Sequence, residues 1–273
     1  MTAVDPHALA EELTAAYALC RTDIDPPSSR DSRFTLDTAY AVEAELARRR
    51  IADGRNVVGW KIGYANKAVW RALKLDTLTW ARMYDDTVRY AVDGNGQFSR
   101  MRSCSPKIEA EVVFKLAAPM AAADPEAVLA SVEWVALGFE IIDCVYSDWK
   151  FQPSDFVAAF GLHSALVVGQ PLYVDENAIP MLVEQLAQFR VQLRRNNKLV
   201  EEGAGKNALR SPVLALAELA AAMSRRAEGA ALRPGDLVST GTLTTSQPIE
   251  AGQTWAAIAD GIPLRPLTLS VTP

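Results

Sequence analysis

The sequence predicts an α+β fold in which helices gather at the N-terminus and β-strands dominate the second half. Three observations carry that prediction. Residues 7–51 hold two helical stretches with apolar residues three and four apart. From Val57 onward, short runs rich in Val, Ile, Leu and Phe are separated by Gly, Pro and Asn clusters. Two of those runs carry glutamates: Ile108-Glu109-Ala110-Glu111-Val112-Val113-Phe114-Lys115-Leu116 and Trp134-Val135-Ala136-Leu137-Gly138-Phe139-Glu140-Ile141-Ile142.

Taken in order, residues 7–20 form an amphipathic helix after Asp5-Pro6, broken by Pro26-Pro27-Ser28-Ser29. Asp37 or Thr35 caps a second helix over residues 38–51, with Tyr40, Val42, Leu46 and Ile51 as its buried stripe and Gly54 as its stop. Residues 1–55 are therefore expected as a helical segment packed on a main domain of residues 56–273, or as an oligomer contact. Val57-Val58-Gly59-Trp60-Lys61-Ile62-Gly63 reads as a strand whose glycines permit close approach. A short helix at 67–75, a strand at 84–90 and a turn at Asp93-Gly94-Asn95-Gly96 follow. Residues 119–130 read as a loop or surface helix, and 149–155 as an aromatic, polar loop. Alternation on both sides of Asn196-Asn197 predicts a β-hairpin, with Gly203-Ala204-Gly205 as a flexible link after it. Ser211-Pro212 opens a helix to about residue 226, and residues 237–244, 252–258 and 264–271 read as short strands.

The 273 residues carry a formal net charge of −5, enough chain for a substantial core and a balance that argues against nucleic-acid or membrane-surface roles. Cys20, Cys104 and Cys144 lie far apart without a CxxC pair, so neither a zinc site nor a disulfide framework is expected. Met1-Thr2-Ala3-Val4-Asp5-Pro6 lacks the basic and apolar regions of a leader, and no apolar run reaches membrane-spanning length. The expected compartment is the cytoplasm.

The chemistry centres on the glutamates. On a strand, Glu109 and Glu111 project to one side about 6–7 Å apart, and Val113 on the same side turns into the core. Two half-buried carboxylates repel unless a cation, a proton or a basic side chain intervenes. Glu140, inside an apolar run, needs a partner. Three carboxylates without a His or Cys pair suit a hard divalent cation such as Mg²⁺ or Mn²⁺. Glu-x-Glu is a common tripeptide, however, and its commoner source is a solvent-facing pair, with Glu140 bridged to a Lys or Arg. Lys61 inside its apolar strand is either an acid/base tuned by nearby carboxylates or a structural ion-pair partner. Of the two histidines, His163 lies in an apolar segment, as a hydrogen-bonded core residue or as the imidazole of a site. P-loop and dinucleotide-binding glycine patterns are absent.

Five motifs stand in register: Gly59-Trp60-Lys61-Ile62-Gly63, Ile108-Glu109-Ala110-Glu111, Phe139-Glu140-Ile141-Ile142-Asp143, Leu232-Arg233-Pro234-Gly235-Asp236 and Thr240-Gly241-Thr242-Leu243-Thr244. From about residue 35 to the end, this order resembles the 2-keto-4-pentenoate hydratase / 4-oxalocrotonate decarboxylase branch of the fumarylacetoacetate hydrolase superfamily. The resemblance implies a mixed, β-rich fold with a β-barrel-like core and an N-terminal helical layer, and a homo-oligomer. It implies Mg²⁺ or Mn²⁺ held by Glu109, Glu111 and Glu140, with Lys61 near the substrate. Thr242 and Thr244 fall where the family's Gly-Ser/Ala-x-Thr loop meets the substrate carboxylate. The implied activity is a lyase of aromatic-compound catabolism, a hydratase of a 2-hydroxy-dienoate or 2-oxo acid acting through a stabilised enolate. A decarboxylase, an acylpyruvate C–C hydrolase and a catalytically degenerate scaffold are the alternatives. Two departures bear on the pocket. Ala159-Phe160-Gly161-Leu162-His163 replaces the polar Asp-Asn-x-Ser cluster after Asp155, and Asp143-Cys144-Val145 replaces Asp-Ser-Arg. The candidate set is therefore Lys61, His163 and Asp155 for catalysis, with Phe160, Thr242 and Thr244 at the substrate. A monocarboxylic 2-oxo acid with an apolar tail is the expected ligand.

Overall fold

The computed structural model describes residues 4–120, 123–226 and 231–273. The opening Met1-Thr2-Ala3, part of the leader reading, and residues 121–122 of the 119–130 stretch lie outside the described residues.

The N-terminal helices form where composition and caps direct them. Helix α1 (Pro6–Ala18) starts behind Asp5, whose carboxylate accepts from the His7 N–H. A short α2 (Pro27–Arg30) precedes α3 (Leu36–Ala52), capped by Thr35 Oγ1, which accepts from the Thr38 N–H. Asp37 pairs instead with Arg226. Tyr40, Val42 and Leu46 are buried as the periodicity requires, but Ile51, in the last turn, is exposed. These helices dock on the strands of their own chain. Tyr40 Oη accepts from the Trp80 N–H at 3.2 Å, Glu43 pairs with Arg82, and Tyr17 Oη donates to the Asp143 carbonyl at 3.0 Å.

Beyond them the chain alternates short strands with helices. Strands β1 (Val57–Gly63), β2 (Thr79–Tyr84), β3 (Val88–Tyr90) and β4 (Asn95–Ser99) enclose α4 (Trp70–Leu73). Strands β5 (Lys107–Leu116) and β6 (Val132–Ile142) flank α5 (Pro125–Ala130). Helix α6 (Pro153–Ala158), strands β7 (His163–Val168) and β8 (Leu172–Tyr173), and α7 (Ile179–Gln188) follow. The hairpin β9 (Arg190–Arg195) and β10 (Lys198–Ala204) leads to α8 (Pro212–Ser224). The last strands are β11 (Leu237–Ser239), β12 (Gln247–Pro248), β13 (Thr254–Asp260) and β14 (Leu267–Thr272).

Two sheets result. The larger has the order β2-β1-β11-β5-β6-β7-β3, with β12 on β5 and β8 on β6; the smaller has the order β10-β9-β13-β14-β4. The larger sheet is rolled. Lys61 on β1 and Glu140 on β6 are separated by β11 and β5, about 14 Å on a flat sheet. Yet the Lys61 ammonium lies 3.0 Å from Glu140 Oε2. Only a strongly curled sheet brings the two tips together. Its outermost strands, β2 and β3, are joined directly by the turn at 85–87, and the Leu166 N–H donates to the Thr87 carbonyl at 2.9 Å. The roll thus comes close to a barrel. Met83, Val113, Trp134, Ala136, Leu166, Val168 and Leu237 fill one end of its interior, and the glutamates occupy the other.

Several expectations are corrected. The 84–90 strand is two strands broken by the turn, because Thr87 Oγ1 donates to the Tyr84 carbonyl and accepts from its N–H. The Gly203-Ala204-Gly205 segment is ordered structure: β10 runs through Ala204, and the Gly205 N–H donates to the Phe189 carbonyl at 3.0 Å. Ser211 precedes α8 without a side-chain capping bond, its hydroxyl buried and unpartnered. Residues 237–244 are not one strand; β11 ends at Ser239. The Asn196-Asn197 hairpin forms as predicted, both residues at positive φ, 50° and 66°.

Candidate active site

Strand register assembles the carboxylates. Glu109 on β5 stands directly opposite Glu140 on β6, and Glu111 faces Gly138. One carboxylate oxygen from each of Glu109, Glu111 and Glu140 lies within 4.8 Å of the others. Glu111 is fixed from the β11 side: its Oε2 accepts from Ser239 Oγ at 2.5 Å and from the Gly241 N–H at 3.0 Å. That second bond needs the backbone to turn at once after β11. Gly241 makes the turn at φ 94°, where a Cβ would stand 2.6 Å from that of Ala65. Glu111 Oε1 is left buried without a hydrogen-bond partner. An all-oxygen donor set with an unpartnered buried oxygen fits a hard divalent cation.

Lys61 is almost fully buried, 2% exposed, and donates to the Gly161 carbonyl at 3.0 Å. Burial opposes its charge, but Glu140, then Glu109 and Glu111, outweigh burial and hold its pKa above the usual lysine value. Lys61 and Glu140 form a fully buried ion pair, Nζ to Oε2 3.0 Å. Burial likewise opposes ionisation of Glu140, yet Lys61 and then His163 hold it below the ordinary range. Glu109 and Glu111 shift the other way. Burial raises Glu109 from 4.5 to about 7 against the pull of Lys61, and burial with the neighbouring carboxylates lifts Glu111 well above 4.5.

His163 stands behind this cluster. Its Nδ1 lies 2.9 Å from Glu140 Oε1 and its Nε2 3.0 Å from Thr87 Oγ1. The ring therefore ties a site carboxylate to the turn that brings β2 and β3 together. Asp155 stands apart. Its carboxylate accepts from the Ser28 N–H at 2.8 Å, the Ser28 hydroxyl at 2.5 Å and the Gln152 N–H at 2.8 Å, so its lone pairs are committed to fixing α6.

A cavity of about 380 Å³ opens beside Lys61 and Glu109. Thr242, Asn207 and Ser246 add polar groups, while Tyr64, Leu73, Trp149, Phe151 and Phe156 supply much of the apolar wall. Thr242 Oγ1 donates to the Thr244 carbonyl at 2.6 Å; Thr244 is not part of the lining. Phe160 also falls outside it, its ring set edge-on to Tyr17 at 5.7 Å. Phe156 takes the wall position instead, admitted because Gly63 has no side chain: a Cβ there would be 2.4 Å from the ring. Tyr64, Trp149 and Leu162 line the cavity with left-handed backbones, φ 59°, 57° and 56°. Such conformations cost about 1–2 kcal/mol per non-glycine residue, held here by the packed surroundings. Sequence reasoning missed Ser239, Asn207, Ser246 and Phe156; the aromatic density of 149–156 was the available signal for the wall.

The raised glutamates give a pH prediction. Below about 4.5 Glu109 is protonated in folded and unfolded chains alike; between there and about 7 only the folded chain keeps the proton. Stability of the metal-free protein therefore falls as pH rises through that window, and a cation that displaces the proton stabilises more at pH 8 than at pH 5. Thermal unfolding in EDTA and in excess Mn²⁺ at both pH values measures this. Equal increments at both would contradict it.

Rolled sheet and buried carboxylate cluster together define a class of enzyme. The C-terminal domain of fumarylacetoacetate (FAA) hydrolase matches residues 82–265, and the chain belongs to this family. It is 31% identical over 221 residues to the 2-hydroxypent-2,4-dienoate hydratase of Pseudomonas putida, covering 78% of this chain and 92% of that one. To the 2-hydroxyhexa-2,4-dienoate hydratase of Comamonas testosteroni it is 27% identical over 259 residues, 92% of each chain. The 4-oxalocrotonate decarboxylase from Pseudomonas putida G7, solved with magnesium and adipate, superposes with a TM-score of 0.86 at 26% identity, over 99% of this chain and 100% of that one. Among the described residues, no helix is long and apolar enough to cross a membrane.

Proposed function

We propose that this protein is a divalent-metal-dependent hydro-lyase that adds water to a 2-hydroxy-2,4-dienoate, by way of its 2-oxo tautomer, in the catabolism of aromatic compounds. The observation that carries the reading is the convergence of Glu109, Glu111 and Glu140 beside buried Lys61, with Lys61 and Glu109 reaching the wall of one cavity. Those three carboxylates would hold Mg²⁺ or Mn²⁺. When bound, the cation supplies Lewis acidity toward the C1 carboxylate and C2 oxygen of the substrate.

The chain's own groups do the rest. Lys61, kept as an ammonium, gives a proton to C5 and recovers one from the enol hydroxyl, which leaves a 2-oxo-3-enoate. Water then adds at C4, and C3 takes the remaining proton. Thr242 lines the cavity near Lys61 and Glu109, its hydroxyl holding the loop through the Thr244 carbonyl. His163 and Thr87 hold Glu140 in place, so His163 is a positioning residue in this reading. Asp155 acts at one remove, by anchoring the helix that carries Phe156. The enzyme works in the cytoplasm as a homo-oligomer.

The relative solved with adipate keeps decarboxylation of a 2-oxo dicarboxylate as a second reading. The apolar wall favours the first. Purified protein, EDTA-treated or Mg²⁺-loaded, is to be given 2-hydroxypenta-2,4-dienoate and 4-oxalocrotonate, with products identified by mass. Metal-dependent gain of one water by the dienoate is the expected result. Release of CO₂ from 4-oxalocrotonate with the dienoate untouched would transfer the assignment to the decarboxylases.

A further inference from the structure

The cavity has more room than the reacting atoms use. Its volume of about 380 Å³ corresponds to roughly a dozen waters at about 30 Å³ each, more than a pentadienoate fills. The surplus is bounded by rings in file. Lys61 Nζ lies 4.7 Å from the centre of Phe156, which stacks on Phe151 at 6.4 Å and meets Tyr64 edge-on at 5.2 Å. Phe151 in turn lies 6.5 Å from Trp149. The wall thus leads away from the proton-transferring ammonium, and Leu73, Val69 and Ile142 add apolar surface.

No charge awaits a substrate along that wall. Among the described lining residues, Lys61 is the one cation, and it serves the reacting end. Lys107 is not part of the lining; its ammonium sits 3.8 Å over the Trp149 ring. A carboxylate pushed against these rings loses its water and meets no second cation, whereas a hydrocarbon group gains burial. Trp149 is also fixed from behind, its Nε1 donating to Ser105 Oγ at 2.9 Å, so the far wall is preformed.

We propose that the cavity selects acids whose far end is an uncharged hydrocarbon group of aryl or branched-alkyl size, and rejects those that end in a second carboxylate. The inference rests on the reading of the site given under the proposed function, and it sets the neighbouring reaction as well. The step that supplies this substrate must release a 2-hydroxydienoate still bearing a hydrocarbon substituent at C5.

Binding of unreactive acids tests it without requiring turnover. Mn²⁺-loaded protein is titrated calorimetrically with 2-oxopentanoate, 2-oxo-5-phenylpentanoate and 2-oxoadipate. Each buried CH₂ equivalent contributes about fourfold, so the phenyl acid should bind at least about tenfold tighter than 2-oxopentanoate. 2-Oxoadipate should bind at least about a hundredfold more weakly than the phenyl acid. Phe151→Ala should erase the phenyl advantage and leave 2-oxopentanoate within about twofold. Leu73→Arg, on a partly exposed position that tolerates charge, should raise 2-oxoadipate affinity instead. Preference for 2-oxoadipate in the unaltered protein, a phenyl advantage intact in folded Phe151→Ala, or no binding of any of the three would overturn the proposal. The predicted ranking without turnover of any dienoate would sink the hydratase reading alone.

Discussion

Lys61→Met should lower kcat by about 10²–10⁴-fold, the usual contribution of a positioned proton donor, while the protein still takes up its divalent cation. The two effects separate because Lys61 lies 3.0 Å from Glu140 yet is itself no metal ligand. Its ammonium repels an incoming cation, so the variant should bind Mn²⁺ more tightly than the parent. In the metal-free state the substitution leaves Glu140 with His163 alone, and loss of a buried ion-pair partner costs about 3–5 kcal/mol. Thermal unfolding in EDTA should show that loss and excess Mn²⁺ should recover it. A variant that loses metal and turnover together would make Lys61 a structural support of the carboxylates instead.

Glu111→Gln should act in the opposite sense. Ser239 Oγ and the Gly241 N–H both donate to Glu111 Oε2, so a glutamine must turn its carbonyl oxygen toward them. Its NH₂ then occupies the place of the unpartnered Oε1 and offers a cation no lone pair. Metal binding and turnover should both disappear. The metal-free protein should be at least as stable as the parent, because burial already disfavours the carboxylate there. A calorimetric Mn²⁺ titration and a melting curve in EDTA read the two halves. Retained metal affinity would show that Glu109 and Glu140 suffice.

These carboxylates were legible in the sequence for a specific reason. Strands β5 and β6 lie in the middle of the sheet, where a glutamate among Val, Ile and Phe stands out against its neighbours. Strand β2 was not legible: five of its six residues are buried, so no period of two is visible in Thr79-Trp80-Ala81-Arg82-Met83-Tyr84. The reading of 237–244 as one strand failed at Gly241, since the alternation there continues through a turn that exists to donate to Glu111. Phe160 and Phe156 show the limit of local pattern. They lie four apart in an apolar segment, and tertiary contacts with Gly63 and Tyr17 decide which ring reaches the cavity. The hairpin at Asn196-Asn197 needed no such context, because turn chemistry is local. Glu140 illustrates two alternatives that proved compatible. It is bridged to a lysine and belongs to the carboxylate cluster as well.

The insertion of β11 between β1 and β5 carries a consequence for how the protein is made. Its three residues, Leu237–Ser239, pair in parallel with β1 and antiparallel with β5, and they are the last contributed to the wall between Lys61 and Glu111. As the polypeptide leaves the ribosome, β1 and β5 emerge long before the strand that joins them. Each presents an unsatisfied apolar edge until residue 239 is free of the exit tunnel. Nascent chains halted upstream of that point should therefore be hungry for chaperones and blind to metal, and the whole cluster should gain its affinity within the span of a few codons.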